Sequence, residues 1–262
     1  MNNVRDSFLE KLVSCDYTDT PFPHCVIENV LDEGFAKKCQ QEILNISVDM
    51  WDRYDNPFEK KYTLRDKNNM PAQCACLFNI LTSHEVVNAL SKIVRYPLMN
   101  DPTKNWWGIH TYKDGDFLDI HSDAGNHPIS KHKKHVTLGI YLSHDWKEEN
   151  GGHLEIWDGE SVLNDDAKLT KCYNRILPSF NKMIVFTNTL NAWHGNPDPV
   201  VIHNGEKRIF VTVSYVSEDH EGPMANNREK AFFVNRPGDP IDEKKEAFRL
   251  IRADPNRCKY II

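Results

Sequence analysis

The stretch HVTLGIYLSHDWKEENGGHLEIW, residues 135–157, contains two apolar runs separated by a polar turn. The first run alternates between an aliphatic set, Val136, Leu138, Ile140 and Leu142, and a mixed set, His135, Thr137, Gly139 and Tyr141. Side chains two residues apart lie on one face of a strand, so this alternation predicts a strand with one apolar and one mixed face. The second run, GGHLEIW, follows EENGG and is typical of the next strand of an antiparallel sheet.

The same pattern extends over residues 105–217. Three further β-rich runs are WWGIHTY at 106–112, KMIVFTN at 182–188 and KRIFVTVSYV at 207–216. Short strands at this spacing predict an antiparallel barrel or sandwich. A sheet with one solvated face is the commoner cause of such alternation. These mixed faces, however, carry His, Tyr and Thr where solvent usually selects Lys and Glu, which favours a polar-lined cavity.

Helices are predicted on both sides of this region. Asp32 is a predicted N-cap for a helix with apolar positions at helical spacing, and Ser83 is predicted to cap a second one. The dipeptide Asp239-Pro240 predicts the start of a last helix that ends near Arg252. We therefore expect a single domain over 1–262, with a helical and strand support and lid in 1–104, a catalytic core in 105–217 and a C-terminal extension in 218–262. The polar stretch 51–69 is the expected lid.

Bulk composition excludes some function classes. The chain has 262 residues, 40% apolar content and a formal net charge of −6, which argues against a general nucleic-acid or membrane-surface binder. No apolar run is long enough for a signal peptide or a membrane span. Seven scattered cysteines without a Cys-x-x-Cys pair favour free thiols in a reducing compartment. These features together predict a cytoplasmic protein.

Two histidine-containing segments are candidate metal sites. In HSDAGNHP, residues 121–128, His121 and Asp123 are two apart and point the same way on an extended segment. A third donor from another strand would complete a facial triad, and His194 is the best candidate. Alone, His-x-Asp is also compatible with a turn carboxylate beside a solvated histidine. The second segment, HPISKHKKH at 127–135, has spacings that suit zinc, but its interleaved lysines favour a basic solvated loop.

Five motifs occur in the order found in one known family. They are Y-x-x-G-(x)5-H-x-D at 112–123, V-T-x-x-I-Y-L at 136–142, G-G-x-L-x-I at 151–156, W-H-G at 193–195 and R-x-x-x-T-V at 208–213. In this order they resemble the Fe(II)/2-oxoglutarate-dependent dioxygenases, in particular the prolyl-4-hydroxylase-like group. The resemblance implies a mainly β fold, the double-stranded β-helix or cupin-type jelly roll, with flanking helices.

The resemblance also implies the site residues and cofactors. His121, Asp123 and His194 would be the catalytic metal ligands, and Arg208 would pair with the distal carboxylate of 2-oxoglutarate. Tyr141 would donate its hydroxyl to that carboxylate. Thr212 would lie beside it, and Tyr112 near the end that chelates the metal. The implied cofactors are Fe(II), the co-substrate 2-oxoglutarate and O2, with ascorbate as a further candidate.

The activity implied is hydroxylation of an unactivated C–H bond, with a prolyl residue in a protein or peptide as the leading substrate. A small molecule, such as a free amino acid, a sugar or a nucleotide-linked metabolite, is the alternative substrate. An open groove would favour a peptide, whereas a pocket roofed by residues 51–69 would favour a small molecule. A zinc-dependent or other non-oxygenase cupin and a binding module without activity are the competing classes. The acidic net charge disfavours a nucleic-acid demethylase, although KHKKH could contact phosphate locally.

Overall fold

The computed structural model describes residues 2–64, 66–162, 166–219 and 225–253. Within these ranges the α-helices are α1 (Asn2–Val13), α2 (Glu33–Leu44), α3 (Ala72–Leu81), α4 (His84–Val94) and α5 (Glu243–Ala253). The strands in the same ranges are β1 (His24–Ile27), β2 (Trp51–Asn56), β3 (Glu59–Leu64), β4 (Met99–Asn100), β5 (Trp107–Tyr112), β6 (Phe117–Ser122), β7 (Lys133–Tyr141), β8 (Leu154–Val162), β9 (Asp166–Ile176), β10 (Lys182–Thr187), β11 (Trp193–Asn196), β12 (Arg208–Ser217) and β13 (Phe232–Phe233).

These strands form one antiparallel sheet that is rolled around a cavity. The strand order is β1-β10-β7-β12-β5-β3-β6-β11-β8-β9, with β13 beside β6, β2 beside β3 and β4 beside β12. Strands that precede β3 in this order, such as β7 and β12, and strands that follow it, such as β6 and β11, contribute side chains to the same cavity. The predicted double-stranded β-helix, mainly β with flanking helices, is confirmed.

The aliphatic face of the sheet packs against the helices. The four aliphatic residues of the first run, Val136, Leu138, Ile140 and Leu142, are fully buried in the main hydrophobic cluster, together with apolar residues of α1–α4. Ile209, Val211 and Val213 of β12 join the same cluster. Each such side chain contributes about 1.5–3 kcal/mol of transfer free energy on burial. The helices therefore hold one face of the sheet, and the mixed face is left for the cavity, as the alternation predicted.

The two predicted helix starts in the N-terminal region are confirmed. The Asp32 carboxylate accepts a hydrogen bond from the Phe35 N–H at 2.9 Å, and the Ser83 hydroxyl accepts one from the Val86 N–H at 3.4 Å. The predicted start of the last helix at Asp239-Pro240 was wrong. The helix begins at Glu243, because the Asp242 carboxylate accepts the otherwise unpaired N–H of Lys244 at 2.9 Å.

Residues 51–64 of the expected lid form the β2–β3 hairpin. Strand β2 pairs with one edge of β3 over its whole length, and the other edge pairs with β5, where Thr63 lies opposite His110, and with β6, where Lys60 lies opposite Phe117. The hairpin therefore extends the rolled sheet beyond the ends of β5 and β6. It forms a side wall of the cavity, and its second strand is held by hydrogen bonds on both edges.

The cysteines and the helices were both subjects of predictions from the sequence. All six cysteines in the described residues are free thiols, and Cys258 lies outside those residues. No helix in the described part of the chain has both the length and the apolar character needed to cross a membrane.

Candidate metal centre

The three predicted metal ligands lie together on two paired strands. His121 near the end of β6 is directly opposite His194 in β11, and their ring centroids are 4.5 Å apart. Asp123 follows β6 immediately, and its Oδ1 lies 3.5 Å from Nε2 of His121. One donor atom from each of the three residues lies within 4.8 Å of the other two. The structure therefore brings together the set that the sequence proposed.

Hydrogen bonds set the tautomer of both histidines. Nδ1 of His121 lies 2.9 Å from the Asp119 carbonyl oxygen, and Nδ1 of His194 lies 2.9 Å from the Ala192 carbonyl oxygen. Because a carbonyl oxygen only accepts, each Nδ1 donates and each Nε2 presents its lone pair to the cluster. Two neutral imidazoles and one carboxylate fit a divalent metal and leave three coordination positions open.

Close approach of β6 and β11 requires a glycine after His194. A Cβ on Gly195 would lie 2.5 Å from the carbonyl oxygen of Asp119, which also accepts the hydrogen bond from His121. No other residue would fit without separating the strands. The W-H-G motif therefore has a geometric role here. Its Trp193 is fully buried and packs against Ile120 and Phe232, away from the cavity.

Charge and burial around the cluster favour an ionised Asp123 carboxylate and a neutral His194 ring. Burial opposes ionisation of Asp123, but Lys134 and the two histidines outweigh it and hold the pKa of Asp123 well below its usual range. The Lys134 ammonium lies 2.6 Å from Oδ2 of Asp123, which leaves Oδ1 on the side of His121. Burial, with His121 nearby, lowers the pKa of His194 to about 3, so its ring is neutral at physiological pH.

A buried arginine lies at the start of β12. Arg208 is 2% exposed, its Nε donates to the Gly152 carbonyl oxygen at 3.0 Å, and its guanidinium carbon lies 4.3 Å from the ring centroid of Tyr112 and 5.3 Å from that of Tyr141. No ion pair between described residues includes Arg208. Leaving a cation buried without an anion is costly. The guanidinium therefore fits an anionic ligand, and its planar geometry matches a carboxylate.

Of the other predicted anchor residues, Tyr112 and Tyr141 lie near this guanidinium, and Thr212 lines the same cavity. Burial raises the pKa of Tyr141 to about 12, against the opposing effect of Arg208, so its hydroxyl keeps its proton and can donate. Tyr112 lies directly across from Arg208 in the β5–β12 ladder. The Thr212 hydroxyl donates to the Leu138 carbonyl oxygen at 3.1 Å, which leaves only its lone pairs for a ligand.

One cavity contains both parts of the site. Its volume is about 440 Å³, and it is lined by His121, Asp123, His194, Arg208, Tyr112, Tyr141 and Thr212. This volume is within the range of small-molecule sites in proteins. Apolar side chains of Leu154, Ile184 and Phe186 complete the lining near the histidines. The arrangement can hold a metal ion and a carboxylate-bearing co-substrate side by side.

Sequence reasoning missed two buried asparagines that hold the Asp123 loop. Asn226 is 1% exposed, and its Nδ2 donates to the Asp123 carbonyl oxygen at 2.8 Å and to Oδ1 of Asn188 at 3.3 Å. Asn188 is fully buried, and its Nδ2 donates to the carbonyl oxygens of Ala124 at 3.1 Å and Lys134 at 3.2 Å. We call Asn188 and Asn226 the amide bracket. It links the metal-ligand loop to the segment that leads to His194.

The C-terminal extension builds part of the same site. Strand β13 pairs with β6 so that Phe233 lies opposite His121, and the Arg228 carbonyl oxygen accepts a 2.7 Å hydrogen bond from the Gly125 N–H. Most of these contacts are main-chain hydrogen bonds, which any residue type can form. They therefore produce no recognisable motif in the sequence. The extension therefore carries no motif although its residues 225–234 support the candidate ligands.

The prediction of a basic solvated loop at HPISKHKKH was wrong. His127 is fully buried, with Nε2 3.3 Å from Oδ1 of Asp101, and His135 is 3% exposed. A β-bulge in the β7–β12 ladder places Lys134 opposite Val216 while Val136 lies opposite Tyr215. The extra residue reverses the face of the preceding side chain, so Lys134 turns into the cavity. The zinc alternative for this segment finds no support, because among the described residues the metal-ligating groups converge only at His121, Asp123 and His194.

Replacing Asn226 by Asp is expected to weaken Fe(II) affinity by about 10–100-fold, the usual cost of losing an outer support of a metal ligand. The substitution keeps the shape but puts an acceptor where Nδ2 donates to Asp123 and Asn188. Isothermal titration with Mn(II) or anaerobic Fe(II) measures the effect. Asn227→Asp is the matched control, because that neighbouring side chain is exposed and bonds to Lys133. Equal affinities in the two variants would contradict a role for the bracket.

The fold and the site together define a class: a jelly roll whose cavity contains a His–Asp–His cluster, the donor set typical of non-haem Fe(II) sites, and a buried arginine. Residues 107–227 match the family model of the 2OG-Fe(II) oxygenase superfamily. This stretch of the chain is therefore similar to a family that uses Fe(II), 2-oxoglutarate and O2. No curated protein matches the chain in sequence.

Solved structures share this fold at low sequence identity. A prolyl-4-hydroxylase from Pseudomonas putida is 13% identical with a TM-score of 0.53, covering 82% of this chain and 100% of that one. A prolyl 4-hydroxylase from Phytophthora capsici is 18% identical with a TM-score of 0.54, covering 85% and 67%. A prolyl hydroxylase from Trichoplax adhaerens, in complex with a hypoxia inducible factor oxygen degradation domain peptide fragment, is 16% identical with a TM-score of 0.50, covering 82% and 89%.

Proposed function

We propose that His121, Asp123 and His194 bind Fe(II) and that Arg208, assisted by Tyr141, binds the distal carboxylate of 2-oxoglutarate. The observation that carries this assignment is one cavity in which a cluster of two imidazoles and a carboxylate accompanies a buried arginine that forms no ion pair with any described residue. Tyr112 lies beside the guanidinium, and Thr212 contributes its lone pairs to the same wall. A metal-binding cupin without oxygenase activity would not need a buried arginine in the same cavity as the metal ligands.

Bound Fe(II) supplies the activation of O2 that couples oxidation of 2-oxoglutarate to succinate and CO2 with hydroxylation of a C–H bond. The carbonyl oxygens of Asp119 and Ala192 keep the two imidazoles oriented through Nδ1. Arg208 neutralises the co-substrate carboxylate, and the Tyr141 hydroxyl donates to it. Leu154 and Phe186 exclude water from the space next to the histidines.

The leading substrate in this proposal is a prolyl residue in a protein or peptide. The order of the five motifs supports it, and so does the fold shared with three enzymes named as prolyl hydroxylases. The Trichoplax adhaerens enzyme is in complex with a peptide. Because these likenesses are at low identity, the substrate needs a direct test.

A small-molecule substrate is the second candidate, and one observation favours it. The β2–β3 hairpin, which is hydrogen-bonded to β5 and β6, forms one wall of a cavity of about 440 Å³. A succinate-release screen of prolyl peptides against free amino acids, sugars and nucleotide-linked metabolites separates the two candidates. Turnover of peptides alone would support the prolyl proposal, and turnover of small molecules alone would replace it.

An anaerobic titration of the metal-free protein with Fe(II) and 2-oxoglutarate is expected to produce a visible metal-to-ligand charge-transfer band. His194→Ala should abolish the band, because it removes one of three ligands. His203→Ala is the control, since that histidine is exposed and outside the cavity. A folded wild-type protein without the band would contradict the assignment of the metal centre and favour the zinc-cupin or binding-module alternatives.

A cytoplasmic location is part of the proposal. Free thiols at six cysteines are typical of a reducing compartment. The net charge of −6 disfavours anionic partners such as nucleic acid or a membrane surface. Ascorbate is the proposed additional cofactor, and its effect is checked by comparing the number of turnovers before inactivation with and without it.

A further inference from the structure

The cavity wall formed by β3 and the segment after it carries two lysines. Nζ of Lys61 lies 2.7 Å from Oε2 of Glu59, and the two side chains are only 16% and 12% exposed. Nζ of Lys67 donates to the carbonyl oxygens of Lys104 at 3.0 Å and Asn105 at 2.9 Å. Both lysines line the cavity that contains the metal centre. Each ammonium has three donor hydrogens, so both keep donors beyond these contacts.

His110 lies next to these lysines on β5, opposite Thr63 of β3. Its Nδ1 is buried and has no hydrogen-bond partner among the described residues, although the side chain lines the cavity. Burial and the charges of Lys61, Lys67 and Arg208 hold the pKa of His110 well below its usual range, so the ring is neutral. The ring therefore adds no positive charge to this part of the cavity, and the two ammonium groups are its charged donors.

The charged lining of the cavity is not balanced. Among the described residues it contains four cationic side chains, Lys61, Lys67, Lys134 and Arg208, and two acidic ones, Asp52 and Asp123. The carboxylate of Glu59, which does not line the cavity, offsets the positive charge of Lys61. Fe(II) and the 2-oxoglutarate dianion cancel each other in charge, so their binding leaves the positive excess in place. Uncompensated charge in a poorly solvated cavity is unfavourable, and a negatively charged substrate relieves it.

We propose that Lys61, Lys67 and His110 form a subsite for an anionic group of the substrate, a carboxylate or a phosphate. This inference rests on the proposed function, because it takes the metal centre as the place where the substrate is hydroxylated. The two ammonium groups supply charge and hydrogen-bond donors, and the neutral imidazole of His110 forms the wall beside them. The substrate therefore carries a negative charge that the metal centre and Arg208 do not bind.

The first test uses inorganic phosphate as a probe of the protein loaded anaerobically with Fe(II) and saturating 2-oxoglutarate. The charge-transfer band shows that 2-oxoglutarate stays bound, and isothermal titration measures phosphate. Saturable binding is expected in the wild type, at least about 10-fold weaker binding in Lys61→Met, which corresponds to about 1.4 kcal/mol, and tighter binding in Glu59→Gln, which frees the Lys61 cation. No saturable binding in the wild type would overturn the subsite.

Two further variants make this test specific. Lys60→Met is the matched control, because Lys60 is on the same strand, is 42% exposed and pairs with Asp55 outside the cavity. Its phosphate affinity should equal that of the wild type, and an equal loss in Lys60→Met and Lys61→Met would overturn the proposal. The double variant Glu59→Gln with Lys61→Met removes both charges of the buried pair together. This double variant leaves no unpaired glutamate, and its affinity for phosphate should still be lower than that of the wild type.

The second test identifies the source of the anion by succinate release from matched probes. N-acetyl-L-proline and N-acetyl-L-prolinamide differ by one terminal charge, and acetyl-Pro-Glu-amide and acetyl-Pro-Gln-amide differ by one side-chain charge. Faster turnover of N-acetyl-L-proline than of its amide indicates a small carboxylate substrate. Faster turnover of the Pro-Glu probe than of the Pro-Gln probe indicates an acidic peptide. Equal turnover within both pairs overturns the subsite but keeps the prolyl function. Phosphate binding without turnover of any probe supports the subsite and overturns the prolyl substrate.

Discussion

Asp123→Ala is expected to lower Fe(II) affinity by more than about 100-fold, beyond the 10–100-fold usual for a residue that only supports a ligand. The substitution removes the one anionic donor from the cluster and leaves two neutral imidazoles beside the Lys134 ammonium, 2.6 Å from the lost carboxylate. An unpaired cation next to the site opposes a divalent metal further. Anaerobic Fe(II) titration followed through the charge-transfer band measures the effect, and turnover should be lost with it.

Two controls separate loss of a ligand from loss of the fold. Asp119→Asn changes a carboxylate on the same strand that pairs with Lys245, while its main-chain carbonyl still accepts from His121. Its Fe(II) affinity should stay near that of the wild type. The double variant Asp123→Asn with Lys134→Met avoids a buried unpaired lysine, and its thermal midpoint shows whether the domain is intact. Turnover at the wild-type rate in Asp123→Ala would remove Asp123 from the proposed ligand set.

Arg208→Met is expected to weaken 2-oxoglutarate binding by at least about 100-fold and to leave Fe(II) affinity near the wild-type value. Hydrogen bonds to charged groups contribute about 1.5–3 kcal/mol each, and a guanidinium makes two to a carboxylate. Methionine fills much of the same volume between Tyr112 and Tyr141 without the charge. Equilibrium dialysis of 2-oxoglutarate against the Mn(II)-loaded protein gives the affinity directly.

The neighbouring Lys207 offers a matched control for this result. Lys207→Met also removes one cation, but Lys207 is exposed and does not line the cavity. Arg208→Lys keeps the charge and loses the planar fork, so it should recover only part of the affinity. If Arg208→Met and Lys207→Met bind 2-oxoglutarate equally, the anchor lies elsewhere in the cavity.

The features that the sequence predicted well depend on short separations along the chain. The alternation in residues 135–142 specified which side chains of β7 pack against the helices, because successive residues of a strand point to opposite faces. Asp32 and Ser83 were recognised as helix caps because each bonds to a backbone N–H three residues later. The spacing of His121 and Asp123 placed two candidate ligands on one side in the same way.

The features that sequence reasoning missed depend on contacts between distant residues. The hydrogen bond from Asn226 to the Asp123 carbonyl oxygen joins residues 103 positions apart. Lys134 reached the cavity through a bulge that depends on the pairing of β7 with β12, and strict alternation gives no sign of that bulge. Residues 51–64 were expected to be part of a polar lid, because their pairing with β5 and β6 involves residues distant in the chain and leaves no local pattern.

By itself the sequence therefore determined the faces of β7 and β12, the starts of the helices capped by Asp32 and Ser83, and the chemical types available to the site: two histidines, a carboxylate, an arginine and tyrosines in a fixed order. Tertiary structure decided their environment. It paired β6 with β11 so that His121 faces His194, buried Arg208 without an acidic partner among the described residues, and surrounded Asp123 with Lys134 and the amide bracket. The physical reason is that a side chain's face follows from its neighbours in the chain, whereas burial, charge balance and donor geometry follow from strand pairing over long separations.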